Sequence, residues 1–187
     1  VGRQILAETG DTSAGIQAIA ERADVGFGCF YNHFESKTEL SDAAVTDALE
    51  EFGQVIDERV QGIEDPAELV AAGFRLSARM ADSHPELMRI LRDRGLAHIH
   101  SESGLSPRAR RDLERGIASG RFTAADPTTA LSALGGTLLS LVALRLGRPD
   151  LDGDEAASDL AEMVLRMLGL PPEDAHEVTR RPLPDLV

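Results

Sequence analysis

A chain of 187 residues with 42% hydrophobic content is long enough for one large core and a small accompanying domain. Its net charge of −13 argues against attraction to acidic membranes, and a single cysteine excludes an internal disulfide framework and suits a reducing cytoplasm. No charged-then-apolar leader is present, so a cytoplasmic location is expected.

Taken in chain order, Ile16-Gln17-Ala18-Ile19-Ala20-Glu21-Arg22-Ala23 places apolar residues at i, i+3, i+4 and i+7, which predicts a short amphipathic helix. Asp24-Val25-Gly26 reads as a turn, and a second short helix runs through His33. Two helices joined in this way form a helix-turn-helix unit. In such a unit the second helix enters the DNA major groove and the first crosses the phosphate backbone. Val25 would fill the angle between them, above Ile16, Ile19 and Ala20.

The stretch from Phe27 to Lys37 is chemically unlike the rest of the chain. Cys29, Tyr31, Asn32 and Lys37 each represent a residue type used once, and three of the six phenylalanines, Phe27, Phe30 and Phe34, lie beside them. One reading is a surface with a specific chemical task; the other is a small aromatic core cluster. Phe27, Cys29, Asn32 and His33 suit the groove, since Asn pairs with adenine and an apolar ring or thiol meets a thymine methyl. Tyr31 and Lys37 suit phosphate, and Gly15, Gly26 and Gly28 are counted with them as DNA-binding positions.

Beyond Ser36-Lys37 a long helix is expected to about Val60. Asp65-Pro66 starts the next, which His84-Pro85 breaks, and a helix from Glu86 to Arg94 follows. A polar loop to Ser103 leads to a helix from Ser106-Pro107 to about Gly120. Asp126-Pro127 starts an apolar helix with eighteen uncharged residues, close to the length that spans a bilayer. Its many Gly, Ser and Thr residues favour a helix buried between subunits. Asp152-Gly153-Asp154 precedes the last helix, with Leu160, Met163, Val164 and Met167 inward. Gly169, Pro171 and Pro172 stop it, leaving a loose tail with one short turn. No strand pattern or repeat appears, so the fold class is all-α.

The pattern Ile16-x-x-Ile19-Ala20-x-x-Ala23-x-Val25-x-x-Gly28-x-Phe30-Tyr31-x-His33-Phe34-x-Ser36-Lys37-x-x-Leu40, preceded by Ala7-Glu8-Thr9-Gly10, resembles the TetR family of transcriptional regulators. The match covers about 35 residues. It implies a helix-turn-helix domain over 1–40 that binds operator DNA, and a helical regulatory and dimerisation domain over 41–187. It also implies residues before Val1, since the chain begins midway through the family's first helix. Asp24 replaces the family's usual turn glycine, Gly26 its usual capping serine, and Ala14-Gly15 the hydroxyl residue that opens the first helix. Fewer phosphate contacts follow. Residues 1–40 carry a net charge of −3, so DNA binding is expected to be modest and salt-sensitive. The alternative is a helical ligand-binding or scaffolding protein whose helix-turn-helix no longer reads DNA.

The resemblance implies repression relieved by a small molecule. Phe74, Ser77 and Met80, facing Met88 and Leu91, are the expected pocket wall: soft side chains, one ring and one hydroxyl suit an uncharged, mostly apolar ligand. The two apolar late helices would form a four-helix homodimer interface through Leu131, Leu134, Leu138, Leu141, Leu160, Val164 and Met167. No enzyme is expected. Cys29 and His33 could touch at i, i+4, but no acid is placed to orient the imidazole. Glu173-x-x-His176 occurs once in a Pro-rich tail, and His84, His98 and His100 read as solvated, so no cofactor or metal is expected.

Overall fold

The computed structural model describes residues 16–24, 26, 31–124 and 126–183. The first described helix, α1 (Ile16–Arg22), buries Ile19 and Ala20, as its apolar spacing requires. Its chain exit is closed by hydrogen bonds from Ala23 N to Ile19 O and from Asp24 N to Glu21 O. Asp24 takes φ 53°, the left-handed conformation where a glycine would be at ease and Asp is among the better-tolerated L residues. Residues 31–33 are helical.

The long helix α2 (Lys37–Arg59) starts at a reciprocal cap. Ser36 Oγ accepts from Glu39 N at 3.1 Å, and the Glu39 carboxylate reaches back to Glu35 N at 2.6 Å. Helices α3 (Pro66–Ser83) and α4 (Pro85–Arg94) follow, each with proline in its first turn. A short 3-10 turn, Gly95–His98, occupies part of the expected loop. Helix α5 (Leu105–Ala118) begins from Gly104 at φ 74°, where an added Cβ would also lie 2.9 Å from Leu49 Cβ. Helices α6 (Pro127–Gly147) and α7 (Gly153–Met167) are N-capped by Asp126 and Asp152, as Asp65 caps α3. Helix α8 (Pro172–Thr179) completes the described chain.

The core forms around α3, which packs most extensively on α7 and also meets α4, α5, α6 and α8. Phe52, Phe74, Phe122, Leu113, Leu141 and Leu165 are among its largest wholly enclosed side chains. The architecture is all-α: the described residues include no strand.

Three expectations need correction. The tail is not loose through residue 179: α8 inserts Ala175, Val178 and Thr179 into the core, because Pro172 serves as the first residue of a helix as well as the stop of the previous one. Met163 and Met167 face outward, at 63% and 55% exposure, so only Val164 of the inward set is enclosed, with Leu160 half-buried. Leu131, Leu134, Leu138 and Leu141 are buried within the chain's own core, as is Val164, which leaves them little surface to offer a second copy; of the expected interface set, Leu160 is half-buried and Met167 exposed. Helix α6 carries leucines on one side and small residues on another. The leucines bury more apolar area, so they face α3, α4 and α5, while Ser132, Ser140 and Ala143 remain outside. Helix α6 has the length and composition to cross a bilayer, yet its leucine face and Arg145 are packed inside the protein.

Candidate functional site

Between α2, α3, α5 and α6 lies a cavity of about 80 Å³. Phe52, Ile56, Phe74, Leu134 and Leu138 supply most of its apolar wall. Its polar groups are Asp57 from α2, Ser77 from α3, and Arg108 and Asp112 from α5. Arg108 and Asp112 are one helical turn apart, so both side chains reach the same edge. Ser77 Oγ donates to Gly73 O at 2.6 Å, which leaves its oxygen as an acceptor.

Arg108 organises this edge. Its Nε donates to Asp57 Oδ2 at 2.7 Å. Its two terminal nitrogens donate to both Glu50 oxygens, at 2.5 and 3.1 Å, and Nη1 also to Gly104 O at 2.5 Å. The hydrogen bond from Arg108 holds the Glu50 carboxyl below its ordinary value, and the same bond with that to Asp57 raises the guanidinium further above its own. Arg111 extends the chain of charges, 3.8 Å from Asp57 Oδ1 and 3.1 Å from Asp112 Oδ1. The result is a strip of alternating donors and acceptors bordering an apolar cavity. Such an edge can orient the polar groups of a small, mostly apolar ligand.

Gly53 makes this placement possible. A Cβ there would lie 2.8 Å from Arg108 Nη1 and 3.0 Å from its Cζ, so the guanidinium rests directly on the α2 backbone. Sequence reasoning missed Gly53, Asp57, Arg108 and Asp112. The only local signal was the turn-spaced Arg108 and Asp112, which looks like an ordinary solvated pair.

A second cavity, about 40 Å³, lies beside the first. Leu49, Leu91, Gly95, His98, Ile99, Gly135 and Leu139 line it, and Leu105, Ala109, Leu134 and Leu138 border both. Of the expected pocket residues, Phe74 and Ser77 line the first cavity and Leu91 the second. Met80 and Met88 line neither; they are 1% and 0% exposed and fill the core, which unbranched, adaptable side chains do well. The charged groups Asp57, Arg108 and Asp112, which the sequence did not point to, also line the first cavity.

The DNA-facing expectations divide differently. Gly15, Val25, Phe27, Gly28 and Cys29 lie outside the described residues. Tyr31, Asn32 and His33 are exposed on the helical turn before α2, with Tyr31 at 52%, and Lys37 is half-buried in the first turn of α2. Gly26 is exposed, and a Cβ there would meet nothing within 4 Å. The cap at Ser36 already engages the amides of Glu35 and Glu39. Among the histidines, His98 borders the second cavity, His100 Nε2 lies 2.9 Å from Ser132 Oγ, and His176 Nδ1 lies 2.9 Å from Glu162 Oε2.

Comparison with known proteins fits this arrangement. Residues 1–44 match the family model of bacterial regulatory proteins of the tetR family. Residues 65–181 match the model of the tetracyclin repressor-like C-terminal domain. Among solved structures, RolR without ligand is 32% identical over 100% of this chain and 96% of its own, with a TM-score of 0.68. RolR in complex with resorcinol is likewise 32% identical, over 100% of this chain and 92% of its own, with a TM-score of 0.69. A putative tetR family transcription regulator from Shewanella sp. PV-4 shares the fold, with a TM-score of 0.76 at 16% identity over 91% of this chain and 95% of its own. No curated protein sequence matches. With both family models matched, and the second alone spanning more than half of its length, the chain belongs to the TetR family of ligand-responsive bacterial transcription regulators.

Proposed function

We propose that this chain is an operator-binding repressor released from DNA by a small hydroxylated aromatic compound. The observation that carries the reading is the Asp57–Arg108–Asp112 strip at the edge of the apolar cavity. A cavity of about 80 Å³ is about half the ~150 Å³ apolar void that takes up benzene, so the wall must yield to admit a single ring and must yield further for anything larger. Resorcinol in RolR, 32% identical over the whole chain, supports a ring with two hydroxyls. Titrating the protein with resorcinol in a calorimeter tests this. Saturable binding at micromolar to low-millimolar concentration is expected, and no heat at 10 mM resorcinol would contradict it.

Two further features complete the proposal. Residues 1–40 read DNA through the helix ending at His33, with Tyr31 and Lys37 on phosphate and Asn32 on a base edge. Lys37→Ala then weakens all duplexes alike and lowers the log–log salt slope by roughly one. Residues 41–187 pair two copies through the outer faces of α6 and α7, which expose Ser132, Ser140 and Ala143 on the one and Met163 and Met167 on the other. Small residues on one helix permit close approach, and exposed methionines supply apolar area. Ligand in the cavity touches α2 through Phe52, Ile56 and Asp57, so a shift of α2 would change the distance between the two recognition helices.

A further inference from the structure

The two cavities differ in chemistry, and the difference bears on the shape of the ligand. Every charged side chain that lines them, Asp57, Arg108 and Asp112, borders the first. The second is walled by Leu49, Leu91, Ile99, Leu131 and Leu139, with the backbones of Gly95 and Gly135 closing it. Its polar members are His98 and Ser106, and Ser106 Oγ is already engaged with His98 O at 2.6 Å. The second cavity therefore offers mainly apolar contact, with His98 as its remaining polar side chain. A void walled by leucine and isoleucine forfeits dispersion contacts on its open side and is poorly suited to water.

The partition between the two consists of Leu105, Ala109, Leu134 and Leu138. Ala109 is short, and it and Leu105 are only half-buried, so a ligand that reaches both cavities has these two to displace before the enclosed Leu134 and Leu138. The second cavity, at about 40 Å³, has half the volume of the first, so it suits a group smaller than the ring. We infer that the ligand is a hydroxylated ring bearing a short alkyl group, with its hydroxyls on the Asp57–Arg108–Asp112 strip and its alkyl group between Leu91, Leu131 and Leu139. This rests on the reading of the first cavity as the site for a hydroxylated ring. It adds a specificity that the polar strip alone does not provide.

The test is a calorimetric series on the full chain with resorcinol and its 4- and 5-methyl, ethyl and hexyl derivatives. At one ring position, affinity should rise roughly fourfold per carbon through methyl and ethyl, as burial of a methylene predicts, and fall for hexyl. The heat capacity change should become more negative along the rising part. Gly135→Ala adds a carbon at the wall of the second cavity, 3.2 Å from Ile99 side-chain atoms, while improving helix propensity, so the variant should fold. It should shrink the ratio of ethyl to unsubstituted affinity. If resorcinol binds and every alkyl derivative binds equally or more weakly, the inference is overturned and the polar site stands. If no member of the series binds, the reading of the first cavity fails with it.

Discussion

Arg108 and Arg121 lie at the beginning of α5 and just beyond its end, and each bridges two carboxylates. Arg108 joins Glu50 and Asp57; Arg121 donates to both oxygens of Asp65 at 2.9 Å and also pairs with Asp174. Their side-chain exposures, 20% and 27%, are close. The surroundings differ. Arg108 borders a void and rests on the helix that leads to the DNA-binding segment. Arg121 lines neither cavity; it ties the N-cap of α3 to α8, alongside Arg181 on Glu68 and Glu177. The same pairing chemistry therefore borders a cavity in one place, where the proposed ligand would meet it, and ties helices together in the other. What separates them is unfilled space beside the first.

Exchanging each arginine for alanine should separate these roles. Arg108→Ala should weaken resorcinol binding about 100-fold, the loss expected for charge-assisted hydrogen bonds. Arg121→Ala should leave that affinity unchanged and lower stability by about 2 kcal/mol, between the values for exposed and fully buried pairs. Chemical denaturation and calorimetry on both variants read the two effects. Equal losses of affinity in both would dissolve the distinction.

A gentler intervention acts on the first region alone. Gly53→Ala should move the Arg108 guanidinium off the α2 backbone and weaken resorcinol binding about tenfold, while the propensity gain of roughly 1 kcal/mol offsets the cost of the displacement. Unchanged affinity would mean that Arg108 need not lie on α2.

Acid should act on the attachment region. Burial raises the Asp65 carboxyl, but the hydrogen bonds from Arg121 and Ala67 N outweigh it and hold the group below its ordinary value. Its folded value is thus below its unfolded one. The stabilisation is complete above the unfolded value of about 3.9 and is lost as pH falls through the folded value. Stability of the wild-type protein should therefore fall below about pH 4, and less steeply in Arg121→Ala. The smallest effect is expected at the turn. Asp24→Gly should add about 0.5–1 kcal/mol by removing a left-handed L residue, measured by thermal melting.

Local signals in the chain were reliable guides to structure. The Asp-Pro pairs at 65–66 and 126–127 and the Ser36–Glu39 cap mark helix starts through contacts within four residues, which sequence carries directly. The orientation of α6 was less legible. It is apolar on more than one side, so periodicity cannot say whether its leucines or its small residues face the core. The polar strip was hidden for a different reason. Asp57 and Arg108 meet across 51 positions, and each sits in a helix where charges usually face solvent. Met80 and Met88 misled because the same flexibility that suits a pocket wall also fills a core. Helix α8 was obscured by Pro171-Pro172, which reads equally as an ending and a beginning.

The central claim is that a hydroxylated ring held by Arg108 releases the protein from DNA. It is tested by fluorescence anisotropy of a labelled duplex, selected from a random pool by the full-length protein, as resorcinol is added. The anisotropy should return to that of free DNA for the wild-type protein and stay at the bound value for Arg108→Ala over the same range. Wild-type protein that remains on DNA while calorimetry shows the ring bound would contradict the account.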